Sequence, residues 1–394
     1  MPGTPARTAD ADTAAEVVCL GESMVTFLPS QPGRLADVPS FGRGIGGAES
    51  NVACALAAAG HRAAWVGRVG ADGFGDHLVE AIAGYGVDTS AVRRDPVRPT
   101  GIYFRTATDR ATDVHEVAYY RAGSAASAMS PDNVPYEVLF AARVLHLSGI
   151  TAALSADCLA LLHDLTAPRP DRPLISFDVN LRPGLWRDTD AAPGVLLDLA
   201  RRSDLVFVGE DEAEEAWGVK GAEAIRAVLP EPEVLVVKRG SDGATVFSGR
   251  RPGPRSSNAA GAGQAFGEAG HASAKAGRAS AEAGHVSGRA GRASAEADSV
   301  ITVPALHVDV VAPVGAGDAF AAGFLSATLR DLPVRDRVRH GHLMAAAVLT
   351  VPGDLTAPPA RAHADALAAL DDDAWGRLRL GPGWTGDDQE VRTA

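Results

Sequence analysis

Cysteine is scarce: Cys19, Cys54 and Cys158 are the only three in 394 residues, widely spaced and with no CxxC pair. That excludes a disulfide framework and a cysteine-based zinc site, and it suits a reducing compartment. Positive charge is also short, with 37 Lys and Arg against 49 Asp and Glu and a formal net charge of −12. Such a surface repels phosphate backbones and anionic lipid, so neither nucleic acid nor a membrane is an expected partner. No apolar run reaches the roughly 18 uninterrupted residues that a spanning helix needs. The opening MPGTPARTADADTAAE has no basic stretch followed by an apolar core, so no secretory signal is expected and the expected location is cytoplasmic. Several catalytic motifs are missing too. There is no GxxxxGK[ST] loop, no GxSxG elbow and no HRD/DFG pair, and His115-Glu116 is followed by Val117-Ala118-Tyr119 instead of completing HExxH. His340 and His342, two apart in a predicted helix, face different ways and read as packing or surface residues.

Hydrophobic residues make up 46% of the chain, enough for one large α/β domain or two ordinary ones. Residues 1–15 are small, polar and Pro/Gly-punctuated, and read as a disordered tail. Short apolar segments then alternate with amphipathic ones. Strands are predicted at Val17–Leu20, Ala63–Val69, Gly101–Ala107, His115–Tyr120, Val144–Leu147, Leu174–Asp178, Leu205–Val208, Val234–Val237 and Ala244–Phe247. Helices are predicted at Glu49–Ala59, Gly75–Ala83, Ser155–Leu165, Ala192–Arg201, Asp211–Trp217, Ala316–Leu329 and Val334–Thr350. This rhythm predicts an α/β fold, a mostly parallel sheet covered by helices on both faces. The pair Gly101–Ala107 and His115–Tyr120, joined by TDRATD, reads as a hairpin outside that sheet, a candidate lid. Residues 250–298 are nearly all Ala, Gly, Ser, Arg and Glu, and GHASAKAGRASAEA at 270–283 returns as GHVSGRAGRASAEA at 284–297. So little apolar area cannot offset the entropy of ordering, and the segment reads as a disordered insertion.

Gly42-Arg43-Gly44-Ile45-Gly46-Gly47 matches GxGxxG, but no strand directly precedes it and no acid caps the following strand about 20 residues on, which argues against a nicotinamide site. The stronger signal is Ala312-Pro313-Val314-Gly315-Ala316-Gly317-Asp318-Ala319-Phe320. Gly315 and Gly317 allow a tight turn, and the helix that follows offers unpaired amides to an anion at the same spot. Asp318, in that first turn, reads either as an ordinary dipole-favoured cap or as a general base facing a substrate hydroxyl. A second signal is Gly46-Gly47-Ala48-Glu49-Ser50-Asn51, where Asn51 offers both donor and acceptor to a polyhydroxylated ligand.

Together these segments resemble the ribokinase-type (PfkB) carbohydrate kinases. GGAESNVA with GRVGADGFG resembles the family's N-terminal signature and VGAGDAFAAGF its C-terminal one. PTGIYF, YYR with SAAS, LSGI, DVNLRP with LW, and VKRG with Gly243 match in order between them, from about Val17 to Leu370. SGIT, SFDVNLRPGLW and YYRAGSAAS are most similar to the 2-keto-3-deoxygluconate kinases. The resemblance implies a kinase domain over 16–380 with a small β lid from segments near 22–45 and 98–123, and a C-terminal tail over 381–394. It implies ATP and Mg²⁺ as co-substrates and phosphorylation of a sugar-acid hydroxyl, most readily that of 2-keto-3-deoxygluconate, giving the 6-phosphate. Asp318 would be the catalytic base, with Gly315, Ala316 and Gly317 forming the anion hole. The substrate set would be Gly46, Gly47, Asn51, Tyr103, Tyr119, Arg121 and Arg182. Lys238, Gly240, Gly243, Gly315 and Gly317 would bind nucleotide, and Glu212 would serve the metal.

Two of these assignments also follow from the residues. Arg121 ends the hairpin and Arg182 follows a strand end, and two guanidiniums suit a carboxylate better than a neutral sugar. Each is equally readable as a surface residue, and Tyr103 and Tyr119 as lid packing. The chain departs from the family's pattern in two of its motifs. Ala312 replaces the usual Asp that helps hold a monovalent cation, so cation activation stays open, and Gly209 replaces the Asn of the Asn-x-x-Glu motif while Glu212 remains. The alternatives are a kinase for fructose or another sugar, and a catalytically silent sugar-binding relative. Pairing of lid strands between subunits, a homo-oligomer, stays open as well.

Overall fold

The computed structural model describes residues 14–31, 33–106, 116–249, 298–386 and 392–393. Its centre is an eight-stranded sheet in the spatial order Ser299–Val303, Ala244–Ser248, Val234–Lys238, Leu205–Gly209, Leu174–Asp178, Val144–Ser148, Val17–Leu20, Ala63–Val66. From Val234–Lys238 to Ala63–Val66 every neighbour runs parallel, while Ala244–Ser248 and Ser299–Val303 pair antiparallel at the other edge. Short, nearly all-apolar runs such as Val17–Leu20 are what a sheet covered on both faces requires. Alternation along that strand sends Val17 and Cys19 into one core and Val18 and Leu20 into the other. The first core is roofed by helices Ala48–Ala58, Ala316–Leu329 and Val334–Leu349, the second by Ala156–Leu165, Ala192–Arg201 and Glu210–Trp217. Phe207 packs edge-on against Phe320 and Phe324, at 6.4 and 5.5 Å between ring centroids. Burying a side chain of this size contributes about 1.5–3 kcal/mol. The Ala316–Leu329 helix is therefore held by its apolar flank, which leaves its polar start available to the site.

A separate four-stranded sheet forms the lid, in the order Phe41–Gly46, Met24–Pro29, Ile102–Arg105, Val117–Tyr120. The hairpin pairing is as predicted, Ile102 opposite Tyr120, and Met24–Pro29 joins it in parallel. Phe27 stacks on Phe104 at 4.6 Å and Phe41 meets Phe104 edge-on, so aromatic contacts hold the small sheet together. The GxGxxG match lies along the lid strand Phe41–Gly46 and is no strand-to-helix turn in a βαβ unit.

Two expectations change. Ala63–Val69 is not one strand: it breaks at Gly67, and Arg68–Gly70 pairs instead with Arg93–Asp95. Within the expected mostly parallel sheet, Ala244–Ser248 is antiparallel because only five residues, 239–243, separate it from Val234–Lys238, too short for a crossover. The stretch predicted as a tail from 381 contributes to the fold, since Trp384 is 4% exposed in the first core and Arg392–Thr393 pairs with Leu378–Leu380. Residues 1–13, the TDRATD turn and the 250–297 repeat lie outside the described residues. Among the described residues no helix is long and apolar enough to cross a membrane. His340 pairs with Asp365 and His342 packs edge-on against Phe320, so both are packing residues.

Candidate active site

A cleft of about 970 Å³ opens between the lid and the C-terminal ends of the parallel strands. Strand ends converge there because a parallel sheet places every βα connection on one edge. Asp178 ends one strand and Lys238 ends another two positions along the sheet, and the Lys238 ammonium donates to both Asp178 oxygens at 2.9 and 3.1 Å. Burial works against that ammonium, but the Asp178, Glu212 and Asp318 carboxylates more than offset it and raise its pKa.

Asp318 sits at the start of the Ala316–Leu329 helix, facing the cleft. Its Oδ2 accepts from Asn51 Nδ2 at 2.9 Å, joining the two glycine motifs across 267 positions of sequence. Removal from water pushes the Asp318 pKa up to about 7, aided by the Asp178 charge and opposed by Asn51, Lys238 and Arg182. Gly315 caps the helix with φ +80°, and a Cβ there would lie 2.6 Å from the Asp354 carbonyl oxygen. Only glycine fits that turn.

The lid wall is built differently. Arg121 Nε donates to Glu22 Oε2 at 2.7 Å, with Nη2 on the same oxygen, and Ser124 Oγ donates to Glu22 Oε1 at 2.5 Å. Tyr119 lies under the Arg121 guanidinium, 5.8 Å from its ring centroid, and 5.4 Å from the Tyr103 ring. The Tyr103 hydroxyl donates to Asp354 Oδ2 at 3.1 Å, and Arg105 Nη2 donates to Asp354 Oδ1 at 2.6 Å. Burial, with the Asp354 charge beside it, raises the Tyr103 phenol's pKa, and burial likewise raises that of Asp354 against the pull of Arg105. Gly46 backs directly onto the Tyr103 hydroxyl. Behind Gly47 and Asn51, the fully buried Glu49 accepts from Ser148 Oγ and Thr151 Oγ1, each at 2.7 Å, and burial raises its pKa.

Of the predicted residues, Gly46, Gly47, Asn51, Tyr103, Tyr119, Arg121, Arg182, Glu212, Lys238, Gly315, Gly317 and Asp318 all line this one cleft. Ala316 follows Gly315 in the helix start, while Gly240 and Gly243 form the turn beyond Lys238 and are not among the lining residues. Arg182 is half exposed, donates to its neighbour's carbonyl at Leu181, and lies 3.7 Å from Glu212. Glu212 Oε2 accepts the Gly209 amide at 2.8 Å, so one of its oxygens caps its own helix. No group of three metal-ligating side chains occurs among the described residues. This donor set fits a Mg²⁺ that keeps most of its waters and takes one carboxylate plus phosphate oxygens, not a caged ion. Two further acceptors, Asn51 Oδ1 and Asn180 Oδ1, are buried without a partner among the described residues, which suits a hydroxyl-rich ligand.

Sequence reasoning missed Asp178, Asn180, Glu22, Arg105 and Asp354. Asp178 and Asn180 stood in the DVNLRP motif, and only Arg182 was drawn from it. Glu22, Arg105 and Asp354 carry no local signal, because their meaning comes from partners 99 and 249 positions away.

The pfkB family carbohydrate kinase model matches residues 14–266 and 286–361. The 2-dehydro-3-deoxygluconokinase of Bacillus subtilis is 31% identical over 351 residues, 88% of this chain and 93% of that protein. The 2-dehydro-3-deoxygluconokinase of Thermoproteus tenax is 35% identical over 240 residues, 60% of this chain and 73% of that one. Among solved structures, a PfkB protein from Polaromonas sp. JS666 superposes with a TM-score of 0.69 at 30% identity, covering 90% of this chain and all of that one. The fold is ribokinase-like, and the cleft between its sheet and its lid is built from the matched segments. The chain belongs to the pfkB family and is a carbohydrate kinase.

Proposed function

We propose that the enzyme transfers the γ-phosphoryl group of ATP to a hydroxyl of a sugar acid, most readily 2-keto-3-deoxygluconate (2-dehydro-3-deoxygluconate), giving the 6-phosphate. The observation that carries the reading is Asp318: a carboxylate with a pKa near 7, held by Asn51 at a helix start that offers free amides. Near neutral pH such a group takes a hydroxyl proton more readily than an ordinary carboxylate does. In the reaction Asp318 accepts the proton of the attacking hydroxyl. The sugar oxygen bonds to the γ-phosphorus, the bond to the bridging oxygen breaks, and ADP leaves. The amides at Gly315–Gly317 stabilise the charge on the transferred group, which is where such transfer needs help. Lys238, pinned by Asp178, presents fixed positive charge on the same floor. Bound Mg²⁺ neutralises phosphate charge, with Glu212 the cleft carboxylate suited to its water shell. The lid excludes water as a competing acceptor.

Arg182 and Arg121 together support the acidic substrate, and the relatives' printed activity agrees with it. One observation favours a second reading, a kinase for a neutral sugar such as fructose: the Arg121 charge is already neutralised by buried Glu22. ADP release with Mg·ATP decides between them, comparing 2-keto-3-deoxygluconate with gluconate, fructose and ribose, each with and without K⁺. Turnover mainly on the keto acid is expected. Turnover mainly on fructose would move both arginines to structural roles.

A further inference from the structure

We propose that the enzyme carries a second ligand site, away from the catalytic cleft, that binds a small apolar monocarboxylate and raises turnover by tying two helix ends together. A cavity of about 270 Å³ opens where the helices Ala48–Ala58 and Ala316–Leu329 end, with the segment 357–361 along its other side. It shares no lining residue with the cleft. Leu343, Met344, Pro359 and Ala364 give it apolar walls, and among the described residues no Asp or Glu lines it. Two guanidiniums do. Arg330 donates through Nη2 to both Asp365 oxygens, at 2.8 and 2.7 Å, so its charge is answered. His340 also faces Asp365, and burial lowers its pKa, so it adds little charge at neutral pH. Arg361 is exposed, and its Nη2 donates to the neutral Ala59 carbonyl at 2.9 Å. The cavity therefore keeps one unanswered positive charge between apolar walls. A singly charged carboxylate with a short apolar body matches that balance, and a guanidinium grips such a group with two parallel bonds.

The two arginines also stand where a bridging anion acts on the cleft. Arg330 follows directly on the helix that carries Asp318 at its start, and Arg361 holds the carbonyl that follows the helix carrying Asn51. Asn51 and Asp318 are hydrogen-bonded at the cleft while Ala58 and Ser326 line the cavity, so the two helices run side by side from one site to the other. At ~1.5 Å per residue the separation is about 10–12 Å. Between the sites a void of about 10 Å³, room for about one water, is lined by Asn51 and Ala319 and by Met344 and Pro358, two of the cavity's own residues. Packing with that slack lets the helices shift against each other. A carboxylate bridging Arg330 and Arg361 ties their far ends and so holds Asn51 on Asp318.

The inference needs only a carbohydrate kinase that turns over, with whichever sugar serves, and it stands or falls apart from the role given to Asp318. Hexanoate is the probe; acetate lacks its apolar body, 1-hexanol lacks its charge, and hexyl phosphate carries a second charge. Calorimetry with Mg·ADP and the sugar occupying the cleft is expected to show hexanoate binding at least about tenfold tighter than acetate or 1-hexanol, and no weaker than hexyl phosphate. Arg361→Gln and Arg330→Gln should each weaken it about tenfold, and Arg182→Ala in the cleft should leave it unchanged. With both substrates saturating, competition in the cleft no longer counts, and hexanoate should raise kcat at least about twofold in the parent but not in Arg361→Gln. No binding, binding undiminished in both arginine variants, binding lost in Arg182→Ala, or a kcat that stays level or falls would overturn the proposal. Tighter binding of hexyl phosphate would overturn the choice of a monocarboxylate. Should Arg330→Gln fail to fold, Arg361→Gln, at an exposed position, carries the test alone.

Discussion

The floor and the lid of the cleft both carry charged groups, but they treat them in opposite ways. On the lid side the two arginines that line the cleft each meet a buried carboxylate: Arg121 with Glu22, Arg105 with Asp354. On the floor, Lys238 and Asp178 are paired while Asp318 has one neutral amide and a pKa pushed up to about 7. A paired charge is fixed and quiet. A carboxylate whose ionised form is poorly supported is ready to exchange a proton. On the proposed reading, proton chemistry falls to the floor and geometry to the lid.

The largest test of that division is Asp318→Asn, expected to lower kcat by roughly 10²–10⁴ while leaving sugar binding nearly intact. Turnover close to the parent enzyme would remove Asp318 from the chemistry. Next come the arginines. Arg182→Ala should weaken the keto acid about tenfold relative to fructose, in line with the loss of one charged hydrogen bond. Arg121→Ala should also discriminate against the acid, and it should lower the melting temperature as well because Glu22 is left buried and unpaired. Equal losses for acid and neutral sugar in both variants would mean that neither reads a carboxylate. The smallest expected effect is on stability. The folded-state pKa of Asp318 is raised, so its ionisation disfavours the folded state above the unfolded value, fully so beyond about pH 7. Asp318→Asn should therefore melt higher than the parent at pH 8, by a margin that shrinks toward pH 4. A constant margin at all pH values would show that ionisation is not its source.

Much of the floor was legible in sequence. Gly315, Gly317 and Asp318 are neighbours, and glycines before an acid at a helix start carry their own physical meaning. The apolar runs gave the central strands for a similar reason, since burial on both faces demands continuous hydrophobic residues. The lid wall was less legible. Tyr103 and Arg121 were singled out, but Glu22 and Asp354, which fix them, stand in ordinary local surroundings. Their roles come from contacts across 99 and 251 positions, which no local pattern records. The Lys238–Asp178 pair was hidden likewise, because it depends on two strands lying two places apart in the sheet. Trp384 was lost among glycines and acids, where one large apolar residue sets no periodicity.

The account's central claim, that a floor carboxylate with a raised pKa takes the hydroxyl proton, is tested most directly by the pH dependence of kcat/KM for the sugar at saturating Mg·ATP. The active form of a base is the ionised one, so the rate should rise through about pH 7 and level off above it. Asp178→Asn should move that inflection to lower pH, because it removes a negative neighbour of Asp318 and releases the Lys238 charge. A flat profile between pH 5.5 and 8.5, on the order of the window a base of this kind must titrate in, would contradict the claim, as would an inflection that ignores Asp178→Asn.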